Sequence, residues 1–161
     1  MSDAIAYLLT WTCHGTWLHG DRRGSVDDNR RTPGMPCLAP NARRVVGELF
    51  RMENPPMALN ESARRIVRET IVAHCAYRSW TILALNVRGN HVHLVVENPE
   101  LAPEPIMGQL KAWCTRRLRE AGALTQDGKV WTHHGSMRYL WNRDAVASAV
   151  SYVSDAQGAD I

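Results

Sequence analysis

Two histidines, His91 and His93, stand one residue apart in the stretch GNHVHLVVE. The pair can act on one ligand only if both imidazoles project the same way. In a strand, positions i and i+2 share a face, whereas on a helix they diverge by about 200°. The run from His91 to Val96 is β-rich, and Gly89-Asn90 before it reads as a turn, so the segment is extended. Val92, Leu94 and Val96 then take the core face, and His91, His93, Val95 and Glu97 the other. Neutral imidazoles so arranged can both reach one divalent metal, which also needs oxygen donors and open positions for substrate. In isolation, the same spacing describes two half-exposed histidines in ordinary hydrogen bonds.

Candidate oxygen donors lie near the C-terminus, at Asp155 and Gln157, close to Tyr152 at the end of a helix. A phenolic oxygen can attack a phosphorus centre when a metal polarises the phosphate and the phenol proton can leave. In a regular helix Asp155 lies about 60° around from Tyr152 and Gln157 about 140°. Geometry therefore favours Asp155. Tyr7 sits in a first strand, Tyr77 ends a helix and Tyr139 abuts an apolar strand, none of them near such donors. Tyr152 also borders the apolar stripe of its helix, which would suit an amphipathic edge residue.

The elements that must position these groups follow from periodicity. Residues 4–12 (AIAYLLTWT) read as a first strand, and residues 20–58 as a long basic loop or insertion with a short helix near 42–50. Asn60 caps a helix running to about Tyr77, patterned by Ala63, Ile66, Val67, Thr70, Ile71 and His74. Residues 80–87 form a second strand, joined through Gly89-Asn90 to the third, His91 to Glu97, as an antiparallel hairpin. A second helix spans about 104–121, with Ile106, Leu110, Trp113, Cys114 and Leu118 as its apolar stripe. Residues 129–132 and 137–141 are two more short strands, and Asn142 or Asp144 caps a last helix. This order describes an α+β sandwich of the ferredoxin-like or RRM-like kind. Its antiparallel central sheet carries helices on one or both faces, and residues 1–161 form a single domain.

Composition narrows the class. With 45% apolar and 22% charged residues, the 161-residue chain is that of an ordinary globular protein. No apolar run approaches the ~20 residues of a membrane span. The opening MSDAIAYLLTWTCHG lacks a basic leader, so a cytoplasmic location and no membrane partner are expected. Cys13, Cys37, Cys75 and Cys114 are scattered without a CxxC pair, as expected of free thiols. Net charge is only +3, but its basic residues are two lysines and seventeen arginines, and there are six tryptophans. Arginine forks suit phosphates, and indole faces suit unstacked bases.

Taken together, AYLLTWTCHGTWLHGD, RSWTILALNVRGNHVHLVVENP, LKAWCTRRLRE, VWTHHGSMRYLW and AVSYVSDAQG resemble, in order and spacing, the HUH single-strand DNA transposases. Nearest in kind are the single-tyrosine transposases of insertion sequences and their REP-associated relatives. The resemblance implies that His91 and His93 hold a catalytic Mg²⁺ or Mn²⁺ and that Tyr152 is the nucleophile. It would act on single-stranded hairpin DNA at the nucleoid through a 5′-phosphotyrosine. It also implies homodimers in which one subunit's tyrosine serves the other's histidines. The family places a polar metal ligand one turn after the tyrosine, where this chain has Ala156. Similar sequences with Gln-Gly after the tyrosine helix shift that role to Gln157, with a distorted last turn before Gly158 and Asp155 as the rival.

For DNA phosphates the candidates are Lys111, Arg116 and Arg119 on the second helix, with Arg138 and Arg143 near the tyrosine helix. His14 and His19 either line the site or brace their loop. Two other functions fit the same residues: a hydrolase using the histidine pair to hold a metal hydroxide, and a hairpin-binding protein without chemistry. Ala156 keeps the second of these in play.

Overall fold

The computed structural model describes residues 3–15, 57–124 and 128–156. Cys37, His19, Gln157, the expected helix near 42–50 and all of the 20–58 loop except its last two residues lie outside the described residues.

Four strands, β1 (Ala6–Thr12), β2 (Ile82–Val87), β3 (His91–Glu97) and β4 (Ser136–Leu140), form one antiparallel sheet in the order β2-β3-β1-β4. With helices α1 (Glu61–Tyr77) and α2 (Pro103–Glu120) between them, the chain runs β1-α1-β2-β3-α2-β4. That is the ferredoxin-like split βαβ arrangement, an α+β fold. A third helix, α3 (Arg143–Ser151), follows and passes into a π-helical turn, Tyr152–Ala156.

Local chemistry sets the boundaries. Asn60 Oδ1 accepts the Ala63 N–H at 2.8 Å, which starts α1. Asn142 rather than Asp144 caps α3, its Oδ1 accepting from Ala145 N at 2.8 Å. β2 begins at Ile82, two residues later than its composition suggests, with a register shift between Ile82 and Ala84. The buried side of α2 is Ile106, Met107, Leu110, Cys114 and Leu118, while Trp113 is 39% exposed. Trp113 therefore leaves the stripe and Met107 enters it.

One expected strand does not form. Residues 129–132 make only the bridge between Cys13 and Trp131. Two backbone bonds, His14 N to Val130 O at 2.8 Å and Thr132 N to Thr12 O at 3.0 Å, hold this segment together with side chains: Thr132 Oγ1 meets Thr12 Oγ1 at 3.0 Å, and Lys111 Nζ donates to Thr132 O at 3.0 Å. Gly135 then passes so close to β1 that a Cβ there would stand 2.5 Å from Thr10 O and 2.7 Å from Met107 Sδ.

Two apolar clusters follow from strand alternation. On the first face, Tyr7, Leu9, Trp11, Val92, Leu94 and Val96 pack against α1 and α2. On the second, Ala6, Leu8, Ala84, Val95 and Leu140 pack against Ala149 and Val153 of the last helix and its π turn. The second cluster fills only one end of its face. His91, His93, Thr10, Thr12 and Ser136 occupy the other end by register.

Candidate functional site

Tyr152 sits where the helical cover of the second face stops. Val153 is fully buried in the second cluster and anchors the turn, while its neighbour Tyr152 is 45% exposed. The Tyr152 ring meets the His93 ring edge to face, with centroids 5.6 Å apart. His93 in turn lies 4.8 Å from His91 by the same measure. Tyr152, His93 and His91 thus form a contiguous row, contributed by one strand and one turn.

The two histidines differ in setting. His93 is 6% exposed, more buried than the half-exposed residue expected from strand position, whereas His91 is partly exposed. His93 Nδ1 is 2.8 Å from Thr10 Oγ1 on the adjacent strand, its register partner. His91 Nδ1 donates to Asn90 Oδ1 at 2.6 Å, because an amide oxygen only accepts. That bond places the lone pair of His91 on Nε2. Imidazoles oriented through one nitrogen are suited to ligate a cation with the other. The donor set therefore fits a divalent ion. Among the described residues no group of three or more His, Cys, Asp or Glu side chains is gathered to hold a metal.

The expected oxygen donors fall differently. Asp155 is exposed and accepts from Ser151 Oγ at 3.1 Å. The helix is not regular past Ser151: its winding becomes π at Tyr152, so the 60° separation computed for a regular helix does not apply.

The five basic candidates divide between the two sides of the sheet. Arg138 lies on the histidine side, its register partner Leu8 belonging to the second cluster, and Arg143 opens α3 at that face's far end. Lys111, Arg116 and Arg119 lie on α2, against the other face, around a shallow groove of about 570 Å³ with Trp131. Lys111 braces the 132–134 segment, donating to Thr132 O at 3.0 Å and His134 O at 3.3 Å. Burial, and secondarily Lys129, lowers its pKa. Arg119 donates to Gly128 O at 3.1 Å, and Arg116 pairs with Glu120 at 3.0 Å over the Trp113 ring. His14 braces through its backbone, its N–H donating to Val130 O and its carbonyl accepting from Met57.

Sequence reasoning missed three polar groups at this site: Thr10, Asn90 and Asn86. Alternation in LLTWT does put Thr10 opposite Leu9 and Trp11. Asn86, in an otherwise apolar ILALNV strand, is the one polar residue there. Its Nδ2 donates to Val153 O at 3.1 Å.

A four-stranded ferredoxin-like sheet thus presents paired histidines and a tyrosine at its half-covered face. Residues 50–155 match the family model described as "Transposase IS200 like", so the chain belongs to the IS200-like transposase family. No curated protein matches the sequence at a significant level. Among solved structures, the chain is similar to a REP-associated tyrosine transposase bound to a REP hairpin, with a TM-score of 0.49 and 13% identity. That alignment covers 93% of this chain and 64% of the other, so this chain spans less than two thirds of that protein's length. It is also similar to a Deinococcus radiodurans protein assigned as a transposase, with a TM-score of 0.46, 16% identity, and coverage of 96% and 92%.

Proposed function

We propose that this transposase cleaves and rejoins single-stranded hairpin DNA, with Tyr152 as nucleophile and His91 and His93 as ligands of a catalytic Mg²⁺ or Mn²⁺. The observation that carries this reading is the Tyr152–His93–His91 row, with 5.6 Å and 4.8 Å between successive rings. Its partly exposed phenol has water at hand to accept the proton.

In the proposed step the Tyr152 oxygen bonds to phosphorus and the bond from phosphorus to the 3′ oxygen breaks. The phenol proton passes through solvent to the released 3′-hydroxyl, leaving a 5′-phosphotyrosine. A second 3′-hydroxyl can reverse the step, because the phosphoester is conserved, so no nucleotide cofactor is needed. The bound cation supplies polarisation of the scissile phosphate. Thr10 and Asn90 hold the imidazoles toward it through their Nδ1 atoms.

For the third ligand, a π turn carries about one more residue per turn than an α-helix, so Asp155 rotates away from Tyr152. Together with the Ser151–Asp155 bond, this favours Gln157 over Asp155. The Tyr152–His93 contact within one chain supports a tyrosine that serves its own histidines. Exchange between two subunits of a homodimer is not required for that set. Of the basic residues, Arg138 is the best placed for DNA at the site, and Arg143 lies at that face's far end. Arg116 and Arg119 would meet only DNA that reaches the other side of the sheet, and Lys111 is engaged with Thr132 O and His134 O. The chain is proposed to work as one domain on chromosomal DNA in the cytoplasm.

The test is a labelled, hairpin-bearing single strand incubated with the protein and Mg²⁺ or Mn²⁺, then denatured. A covalent protein–DNA adduct is expected from the wild type and none from Tyr152→Phe or His91→Ala. Cleavage persisting in Tyr152→Phe would indicate a metal hydrolase. Binding without cleavage in either metal would indicate a silent hairpin binder.

A further inference from the structure

Asn86 is 1% exposed near the end of β2, on the side of the sheet that carries Ala84, Val95 and Val153 of the second cluster. A buried amide in such surroundings is costly unless it is hydrogen-bonded. A leucine of similar volume would fill the same space, but it would leave the Val153 carbonyl without the donor that Asn86 supplies. The amide therefore adds nothing to packing, and what distinguishes it is its bond.

That bond reaches the turn that carries Tyr152. Asn86 Nδ2 donates to the Val153 carbonyl at 3.1 Å, on the second peptide unit after the tyrosine. Carbonyls at the end of a helix lack partners within it, and π winding shifts the hydrogen-bond ladder by a residue. A fixed donor from the sheet holds one of those carbonyls in place. The same side chain is the register neighbour of His93 on β3, and His93 is the register neighbour of Thr10 on β1. One row across three strands thus sets both partners of the contact: Thr10 fixes the His93 ring, and Asn86 fixes the backbone beside Tyr152.

We infer that Asn86 is a positioning residue that ties the π turn to the sheet and so sets the Tyr152 oxygen relative to the histidine pair. The inference rests on the reading of Tyr152 as the nucleophile. It acts through the tyrosine's backbone, so at saturating metal and DNA it should alter the rate of attack and leave hairpin-DNA affinity unchanged. Misplacing a nucleophile by about 1 Å can cost on the order of 100-fold in rate.

The experiment compares wild type with Asn86→Leu, which keeps volume and loses the amide, and Asn86→Asp, which keeps shape and loses the donor. Four quantities are measured: melting temperature, hydrogen exchange of the amides in residues 152–156 without DNA or metal, Mn²⁺ and hairpin-DNA affinity, and single-turnover adduct rate at saturating DNA. Both variants should exchange about tenfold faster in the turn and, at saturating Mn²⁺, form adduct about 10- to 100-fold more slowly, with hairpin-DNA affinity within about twofold of wild type. Asn86→Leu takes a donor from the Val153 carbonyl, so rates are compared at a temperature well below both melting points, where neither protein is unfolded and a slower rate cannot be assigned to unfolding. An Asn86→Leu protein with wild-type exchange in the turn, or with an adduct rate within twofold of wild type, would overturn the inference. If Asn86→Asp fails to fold, Asn86→Leu alone decides. A wild type that forms no adduct would refute the assignment of Tyr152, and exchange in the turn would still decide whether Asn86 is its tether.

Discussion

The two faces of the sheet are built from the same four strands, yet they are finished differently. The first is closed along its length by α1 and α2 and is apolar throughout, from Tyr7, Leu9 and Trp11 to Val92, Leu94 and Val96. The second is closed over half its length by α3, and its cluster ends at Val153. Beyond that point the residues become Thr10, Asn86, His91 and His93, and Tyr152 leans over them. Alternation along β1 and β3 thus lets each strand contribute a dry side to stability and a polar side to a site. The chemistry sits where cover stops, so mutations one residue apart should separate function from stability.

The largest contrast is expected within β3. His93→Ala should lower the adduct rate by at least about 10³-fold, and urea unfolding should show a loss of roughly 1–2 kcal/mol for the buried, hydrogen-bonded ring. Leu94→Ala, fully buried on the first face, should cost about 2–5 kcal/mol in the same unfolding measurement. If its folded fraction is assayed, that variant should keep wild-type chemistry. A His93→Ala protein that loses stability like Leu94→Ala would remove the distinction between the faces.

Gly135→Ala tests the seam between them. Its added Cβ would lie 2.5 Å from Thr10 O, so β4 must move away from β1, at a cost of about 1–3 kcal/mol. Because Thr10 also holds His93, Mn²⁺ affinity should weaken alongside the melting temperature. A smaller effect separates the basic residues. Arg138→Ala should reduce the salt dependence of hairpin binding by about 0.7 in log–log slope, as for one phosphate contact on a single strand. Lys111→Ala should leave that slope unchanged and lower thermal stability, since its ammonium is engaged with Thr132 O and His134 O.

The smallest effect at neutral pH concerns the first face's thiols. Burial pushes Cys13 up to about 12, Cys75 to about 11 and Cys114 to about 12, from an ordinary 9.0. These thiols should resist aromatic disulfide reagents at pH 8 in the folded protein. The unfolded chain loses their protons first, near pH 9, so it binds fewer protons than the folded chain above that pH. Stability should therefore be unaffected by them below about pH 8 and should fall as pH rises from about 9 toward 11. Urea titrations at pH 8 and pH 10 would check the direction.

Much of the fold is written in local signals. Asn60 and Asn142 as caps, the Gly89-Asn90 turn and the alternation of HVHLVVE each act within a few residues, so sequence reading reached them. Residues 129–132 were harder, because their place depends on Lys111 and Thr12, remote in sequence. Trp113 misled for a related reason: its spacing suits the stripe of α2, but Met107 takes the buried position. The resemblance pairs Tyr152 with histidines of another subunit, and periodicity says nothing of the contact that Tyr152 makes with His93 within one chain. Neither the π turn nor the Asn86 bond that holds it could be inferred from local pattern, since both depend on contacts 67 residues apart in the chain.

The most direct test is to find where DNA becomes attached. The wild-type adduct formed with Mn²⁺ and a hairpin-bearing single strand should be digested and its cross-linked peptide sequenced by mass spectrometry. Phosphotyrosine linkage at Tyr152 is the expected result. Attachment at Tyr7, Tyr77 or Tyr139, or strand cleavage with no covalent protein product, would contradict the account.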